Sequence, residues 1–127
     1  MNKRDTHIGI FFIAMVISSM VFASSDVARD IWADYMQKAL PEAFCQEGSY
    51  FRSCFQANKE QCTYIADSVT SECLARYNEQ IPDSLNQPED GTYWGEKIGG
   101  CAGTLFEYKL LKVRISSQKC DNPANWQ

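Results

Sequence analysis

The chain has 127 residues, with 12 Lys or Arg against 16 Asp or Glu for a formal charge of −4, which is the length of one domain. An acidic balance without a basic stripe offers nothing to displace counterions from a phosphate backbone, which argues against nucleic-acid binding. Its one histidine, His7, stands in the N-terminal apolar segment, so the rest of the chain lacks the general base of Ser-His-Asp or Cys-His catalysis and the commonest nitrogen ligand of zinc.

Lys3 and Arg4 precede an apolar run from Ile8 to Phe22, and Val21-Phe22-Ala23 has the small-x-small pattern after which a signal peptidase cuts. The fifteen residues of that run fall short of the roughly 20 that span a bilayer, and no basic stop-transfer cluster follows. Residues 1–23 therefore read as a cleaved signal peptide and 24–127 as a single periplasmic or secreted domain, with no stable membrane anchor after cleavage. Lys3, Arg4 and Asp5 leave with the leader, so ten basic and fifteen acidic residues remain and the charge becomes −5.

From Val27 the apolar residues come in doublets every four positions: Val27-Ala28, Ile31-Trp32, Tyr35-Met36 and Ala39-Leu40. This broad stripe predicts a first helix over 26–40, capped by Ser25 or Asp26 and stopped by Pro41. Pro41 can also open a further turn through Gln46; Gly48-Ser49 then interrupts, and Tyr50, Phe51, Cys54 and Phe55 form a short or broken second helix. After Asn58, Cys62, Ile65, Ala66, Val69, Cys73, Tyr77 and Ile81 recur at steps of three and four, predicting a third helix over 60–80 with Pro82 as its stop.

Residues 82–91 are polar and turn-rich, a connection within the domain. Beyond them Trp94, Ile98, Cys101, Leu105 and Tyr108 repeat at helical spacing beside a second stripe of Gly95, Gly99 and Gly103. Each glycine costs a helix about 0.8–1 kcal/mol relative to alanine, so three in register predict close approach of a neighbouring backbone. Residues 106–115 read either as a helix continuation or, from their alternation, as a strand; with no partner strand evident, the continuation is preferred. The tail from Cys120 reads as irregular. The resulting fold class is all-α, a small bundle of three to four helices cross-linked by three disulfides.

The six cysteines are separated by 8, 7, 10, 27 and 18 intervening residues, without the paired C-x-x-C spacings of zinc ribbons, iron–sulfur proteins or thioredoxin-like sites. An even count in an exported domain reads as a disulfide framework, and no metal or cofactor is expected. Cys62 and Cys73, eleven residues apart on one helix, share a face but are separated by about 16 Å of rise, too far to bond to each other. If the chain reverses near Asn58, Cys54 and Cys62 each lie four residues from the turn, and Cys45 and Cys73 thirteen and fifteen from it. This predicts Cys54–Cys62 and Cys45–Cys73 as two rungs of a helical hairpin, leaving Cys101–Cys120. That last pair conflicts with a helix reaching Ser116, because about 22 Å of helix cannot be recrossed by four extended residues spanning at most about 14 Å.

Chemistry-bearing motifs are sparse. Asp30 with Asp34, and Glu89 with Asp90, read as solvated surface acid; Ser116-Ser117-Gln118-Lys119 matches S-x-x-K, but its companion motifs S-D-N and K-T-G are absent. Tyr93, Trp94 and Glu96, just after the turn-rich connection and among glycines, are the candidate partner-binding residues, with Tyr93 the surface anchor and a core role favoured for Trp94, which is in phase with Ile98 and Cys101. The functional expectation is a non-catalytic exported protein-binding domain, an inhibitor or immunity-type antagonist of another protein. A structural accessory of an envelope or secretion assembly, packing through the glycine stripe, is the second reading. A small carboxylate-based cell-wall hydrolase using Glu96 and Glu107 is the third.

Overall fold

The computed structural model describes residues 25–126, so the expected signal peptide lies outside the described residues. Three long helices carry the fold: α1 (Arg29–Phe44), α3 (Lys59–Tyr77) and α4 (Glu89–Lys109), with short helices α2 (Tyr50–Ser53) and α5 (Gln118–Asp121). A two-stranded antiparallel ribbon joins β1 (Asp26–Ala28) to β2 (Ser84–Asn86), with Val27 opposite Leu85. The all-α bundle with three disulfides expected from the sequence is the fold observed.

Helix α1 starts three residues later than predicted because Asp26–Ala28 pair with β2 instead, and neither Ser25 nor Asp26 caps it; the Arg29 amide donates to the Asp83 carbonyl at 2.9 Å. It also runs through Pro41 to Phe44. Proline removes one amide from the ladder, but here the ring is buried and the next turn closes, with the Cys45 amide donating to the Pro41 carbonyl at 3.1 Å. The chain then reverses at Gly48, whose φ of +82° is a conformation that suits glycine. Ser49 caps α2 by accepting from the Arg52 amide, while its hydroxyl donates to the Phe44 carbonyl.

Asn58 and Gln61 form a reciprocal capping box at the start of α3, the most completely specified helix start in the molecule. Helix α4 accommodates all three glycines, but the expected close backbone is absent. A Cβ on Gly103 would lie 3.3 Å from Cζ of Phe51, one on Gly99 3.8 Å from Cδ2 of Leu40, and one on Gly95 would meet nothing within 4 Å. The stripe seats side chains at one end and opens at the other.

The preferred helix continuation through residue 115 is corrected: α4 ends at Lys109, a 3-10 turn covers Leu111–Val113, and the chain then extends beside residues 54–56. Gln56 donates to the Val113 carbonyl at 2.9 Å and Ile115 to the Cys54 carbonyl at 2.8 Å, around an isolated bridge between Phe55 and Arg114. The partner segment is hidden in the sequence because Cys54 and Phe55 fall at helical spacing from Tyr50 and Phe51.

All six cysteines are bonded, in pairs that differ from every pair expected: Cys45–Cys62, Cys54–Cys120 and Cys73–Cys101. The predicted pairs Cys45–Cys73, Cys54–Cys62 and Cys101–Cys120 assumed a hairpin whose first arm included residues 45–55. The first arm is α1 itself, which ends at Phe44; residues 45–58 form the connection. Cys45 at the end of α1 meets Cys62 in the first turn of antiparallel α3, while Cys54 in the connection is free to reach the tail. Cys73, farther along α3, faces Cys101 on antiparallel α4.

The core is built from Ala66, Val69 and Cys73 of α3, Ile98, Ala102 and Phe106 of α4, Trp32 and Met36 of α1, and Phe55, Ile81 and Leu85 from the connections. Phe106 sits among Phe44, Phe51 and Phe55, at ring-centroid distances of 6.2, 4.8 and 5.5 Å. These rings join the end of α1, the α2 connection and α4 into one packed end of the bundle.

Candidate functional site

Both α1 and α4 pack against α3 in antiparallel fashion, so they run parallel to each other. Gln37 of α1 donates to the Asp67 carboxylate of α3 at 2.7 Å, and Tyr77 of α3 lies 6.2 Å from Trp94 of α4. Where α1 and α4 approach each other, Leu40, Phe44 and Phe51 fill the space over Gly99 and Gly103. Toward their N-terminal ends they leave a shallow, mainly apolar cleft of about 490 Å³, walled by Val27, Ile31 and Tyr35 on one side and Pro88, Gly91 and Thr92 on the other, with Trp32 and Met36 below. Ile31 is 64% exposed and Tyr35 66% exposed, large apolar surfaces that the fold leaves in water.

The sequence-derived candidates fall around this cleft in different ways. Tyr93 is 54% exposed and points to solvent, with the Lys97 ammonium 5.5 Å from its ring centroid. Trp94 is half-buried and turned to α3, packed between Tyr77 and Tyr93. Glu96 is exposed one turn beyond Thr92, which lines the cleft. The rings of Tyr93 and Trp94 meet edge to face at 5.2 Å, and Glu96 is exposed on the following turn. Ile31 and Tyr35 were missed as surface residues, although a signal existed: four apolar doublets cover more than half the circumference of α1, more than a helix packed on one side can bury.

A second cluster lies at the tail. Tyr50 donates to Glu107 at 2.7 Å, Arg114 pairs with Asp121 at 2.8 Å, and the Ser116 hydroxyl donates to the other Asp121 oxygen at 2.6 Å. Trp126 covers the group, its ring centroid 5.4 Å from that of Tyr50 and its indole N–H donating to the Lys119 carbonyl at 3.0 Å. Burial, and then the hydrogen bond to Glu107, hold the Tyr50 phenol above its ordinary pKa. The Asp121 carboxyl is held below its ordinary value by the Ser116 hydroxyl and then by Arg114. These groups satisfy one another, and their visible consequence is to pin residues 114–126 onto α2 and α4.

Because the folded pKa of Asp121 is lowered, its contribution is complete above the ordinary carboxylate range and is lost as pH falls through the folded value. The Trp126 indole N–H resonance is therefore expected to shift in acid, below about pH 4, and Asp121→Asn should remove that step. A wild-type resonance that stays unmoved while the rest of the fold titrates would contradict this role for Asp121.

Glu96 and Glu107, the two acids considered for hydrolysis, are eleven residues apart on α4 and both exposed. That spacing corresponds to about 16 Å along the helix, beyond the roughly 5–9.5 Å separating the paired carboxyl groups of glycosidases. Among the described residues no group of three or more His, Cys, Asp or Glu converges to hold a metal, and no helix is long and apolar enough to cross a membrane.

No curated protein and no solved structure matches the chain. A family model does: that of T2SS substrate NttA, over residues 26–122, which takes in the whole helical framework and all six cysteines. The chain belongs to this family, and it is exported from the cytoplasm.

Proposed function

We propose that this member of a family of exported T2SS substrates is a non-catalytic binding protein, secreted to antagonise another protein through the α1–α4 cleft. The observation that carries the reading is the pair Ile31 and Tyr35, two large side chains one helical turn apart, each more than three-fifths exposed on a framework tied by three disulfides. Exposed apolar surface of this kind destabilises nothing when covered by a partner, and a rigid framework reduces the entropy lost on docking. The lack of histidine among residues 25–126 and the wide separation of Glu96 and Glu107 support a role without catalysis. Glu96, one turn beyond the cleft residue Thr92, belongs to the proposed surface; Tyr93 and Trp94 do not.

The test uses the oxidised protein as bait in medium and envelope extract, beside the Ile31→Ser/Tyr35→Ser variant. Both positions are exposed, so the variant should keep the wild-type thermal stability to within about 0.5 kcal/mol. The wild type is expected to retain one protein at near-stoichiometric amounts, and the variant to lose that retention by at least about tenfold. Equal retention by the two proteins, or no stoichiometric partner for the wild type, would reject the reading.

A further inference from the structure

We propose that the guest of the α1–α4 cleft is a basic amphipathic helix, which completes a four-helix arrangement; this rests on the binding reading above and assigns the chemistry of the partner. The argument begins with packing. Helix α3 supports both α1 and α4 from one side, and the two run parallel with their N-terminal ends apart. Parallel helices held over a third leave a groove with the shape of a missing fourth helix. The groove is closed at one end, where Phe51 and Leu40 meet Gly103 and Gly99, and open at Gly95, where a Cβ would have no neighbour within 4 Å.

The walls have helical spacing. Ile31 and Tyr35 on α1, and Pro88 at the cap of α4 with Thr92 in its first turns, each stand one turn apart, and Gly95 follows Thr92 by three residues. Two parallel rows of that period accept apolar side chains at i, i+3, i+4 and i+7 from a docked helix. A strand, whose side chains alternate every second residue, does not match them.

Charge selects the flanks of the guest. Glu89 and Glu96 are exposed on α4, with Lys97 beside Glu96, and Asp30 and Asp34 are exposed on the same turns of α1 as Ile31 and Tyr35, with Lys38 one turn beyond, so among these residues acidic ones outnumber basic ones two to one on each helix. A guest with Lys or Arg beside its apolar stripe meets net opposite charge on both helices. A second copy of this acidic chain would instead bring like charges together.

The probes are two synthetic helices of about 14 residues with identical leucine positions, one with Lys and one with Glu elsewhere. Each is titrated into the isotope-labelled oxidised protein and followed by amide chemical shifts. The Lys peptide is expected to shift Ile31, Tyr35, Thr92 and Gly95, and to bind at least about tenfold more tightly than the Glu peptide at low salt. Glu89→Gln/Glu96→Gln should narrow that preference, and Gly95→Leu, which fills the open groove, should weaken the Lys peptide by at least about tenfold.

Equal affinities for the two peptides, shifts centred on another face, or indifference to Gly95→Leu would overturn the proposal. So would a dimer by sedimentation whose contact includes Gly95, which would assign the cleft to a second copy. If Ile31→Ser/Tyr35→Ser still releases the captured partner while the peptides are not distinguished, the basic-helix assignment fails and the binding reading stands. If that variant retains the partner, the binding reading itself fails.

Discussion

Replacing Cys54 and Cys120 together with alanine is expected to lower the unfolding free energy by about 4 kcal/mol. The bond closes a loop of 66 residues, against 17 for Cys45–Cys62 and 28 for Cys73–Cys101. Restriction of the unfolded chain grows only with the logarithm of loop length, so the three bonds rank closely, at about 4, 3 and 3.5 kcal/mol respectively. The Cys54–Cys120 bond has a further role. It ties the tail to the connection that carries Phe55, next to the backbone bridge between Phe55 and Arg114. Urea unfolding of the oxidised proteins is the measurement, and the variant's denaturant slope should rise because its unfolded state is less compact. A loss under about 1 kcal/mol would mean that the Arg114–Asp121 and Trp126 contacts hold the tail without the covalent tie.

Phe106→Ala is expected to cost about 3–5 kcal/mol. The ring is fully buried and is the one around which Phe44, Phe51 and Phe55 pack, so its removal leaves a cavity that three neighbouring elements must share. In a domain of about 100 residues, 1 kcal/mol moves the melting temperature by about 4–8 °C, so the variant should melt more than about 10 °C below the wild type. Tyr108→Ala, two residues along the same helix and 76% exposed, should change stability by less than about 0.5 kcal/mol. Comparable losses at both positions would show that the aromatic cluster is not the packed centre described here.

The helices were legible because their signals are local. Asn58 and Gln61 specify the start of α3 within four residues, and the three-and-four spacing of Cys62, Ala66, Val69 and Cys73 states which face is buried. The same reading misjudged Pro41, because burial of the ring and the closing turn at Cys45 outweigh the one lost amide. It missed β1 and β2, three residues each, because such short pairs carry no period of their own and exist only where the chain brings Val27 to Leu85. Of the candidates read from sequence, Glu96 follows the cleft residue Thr92 by one turn, whereas Ile31 and Tyr35, which line the cleft, belong to a stripe too wide for one buried face.

Export, oxidation and an all-α framework are read from features within a few residues of one another or from composition: an apolar N-terminal run ending in a small-x-small pattern, an even set of cysteines, and runs of helical period. Which cysteine meets which is a different kind of information. Cys45 finds Cys62 only because α1 and α3 are the arms of the hairpin, and Cys54 finds Cys120 only because the tail returns across Phe55. Fifteen pairings satisfy the same six positions, and choosing among them requires knowing which helix faces bury each other. The α1–α4 cleft has the same origin. No segment encodes it; it is the space left when two helices pack on a third and separate where no side chain from Gly95 joins them.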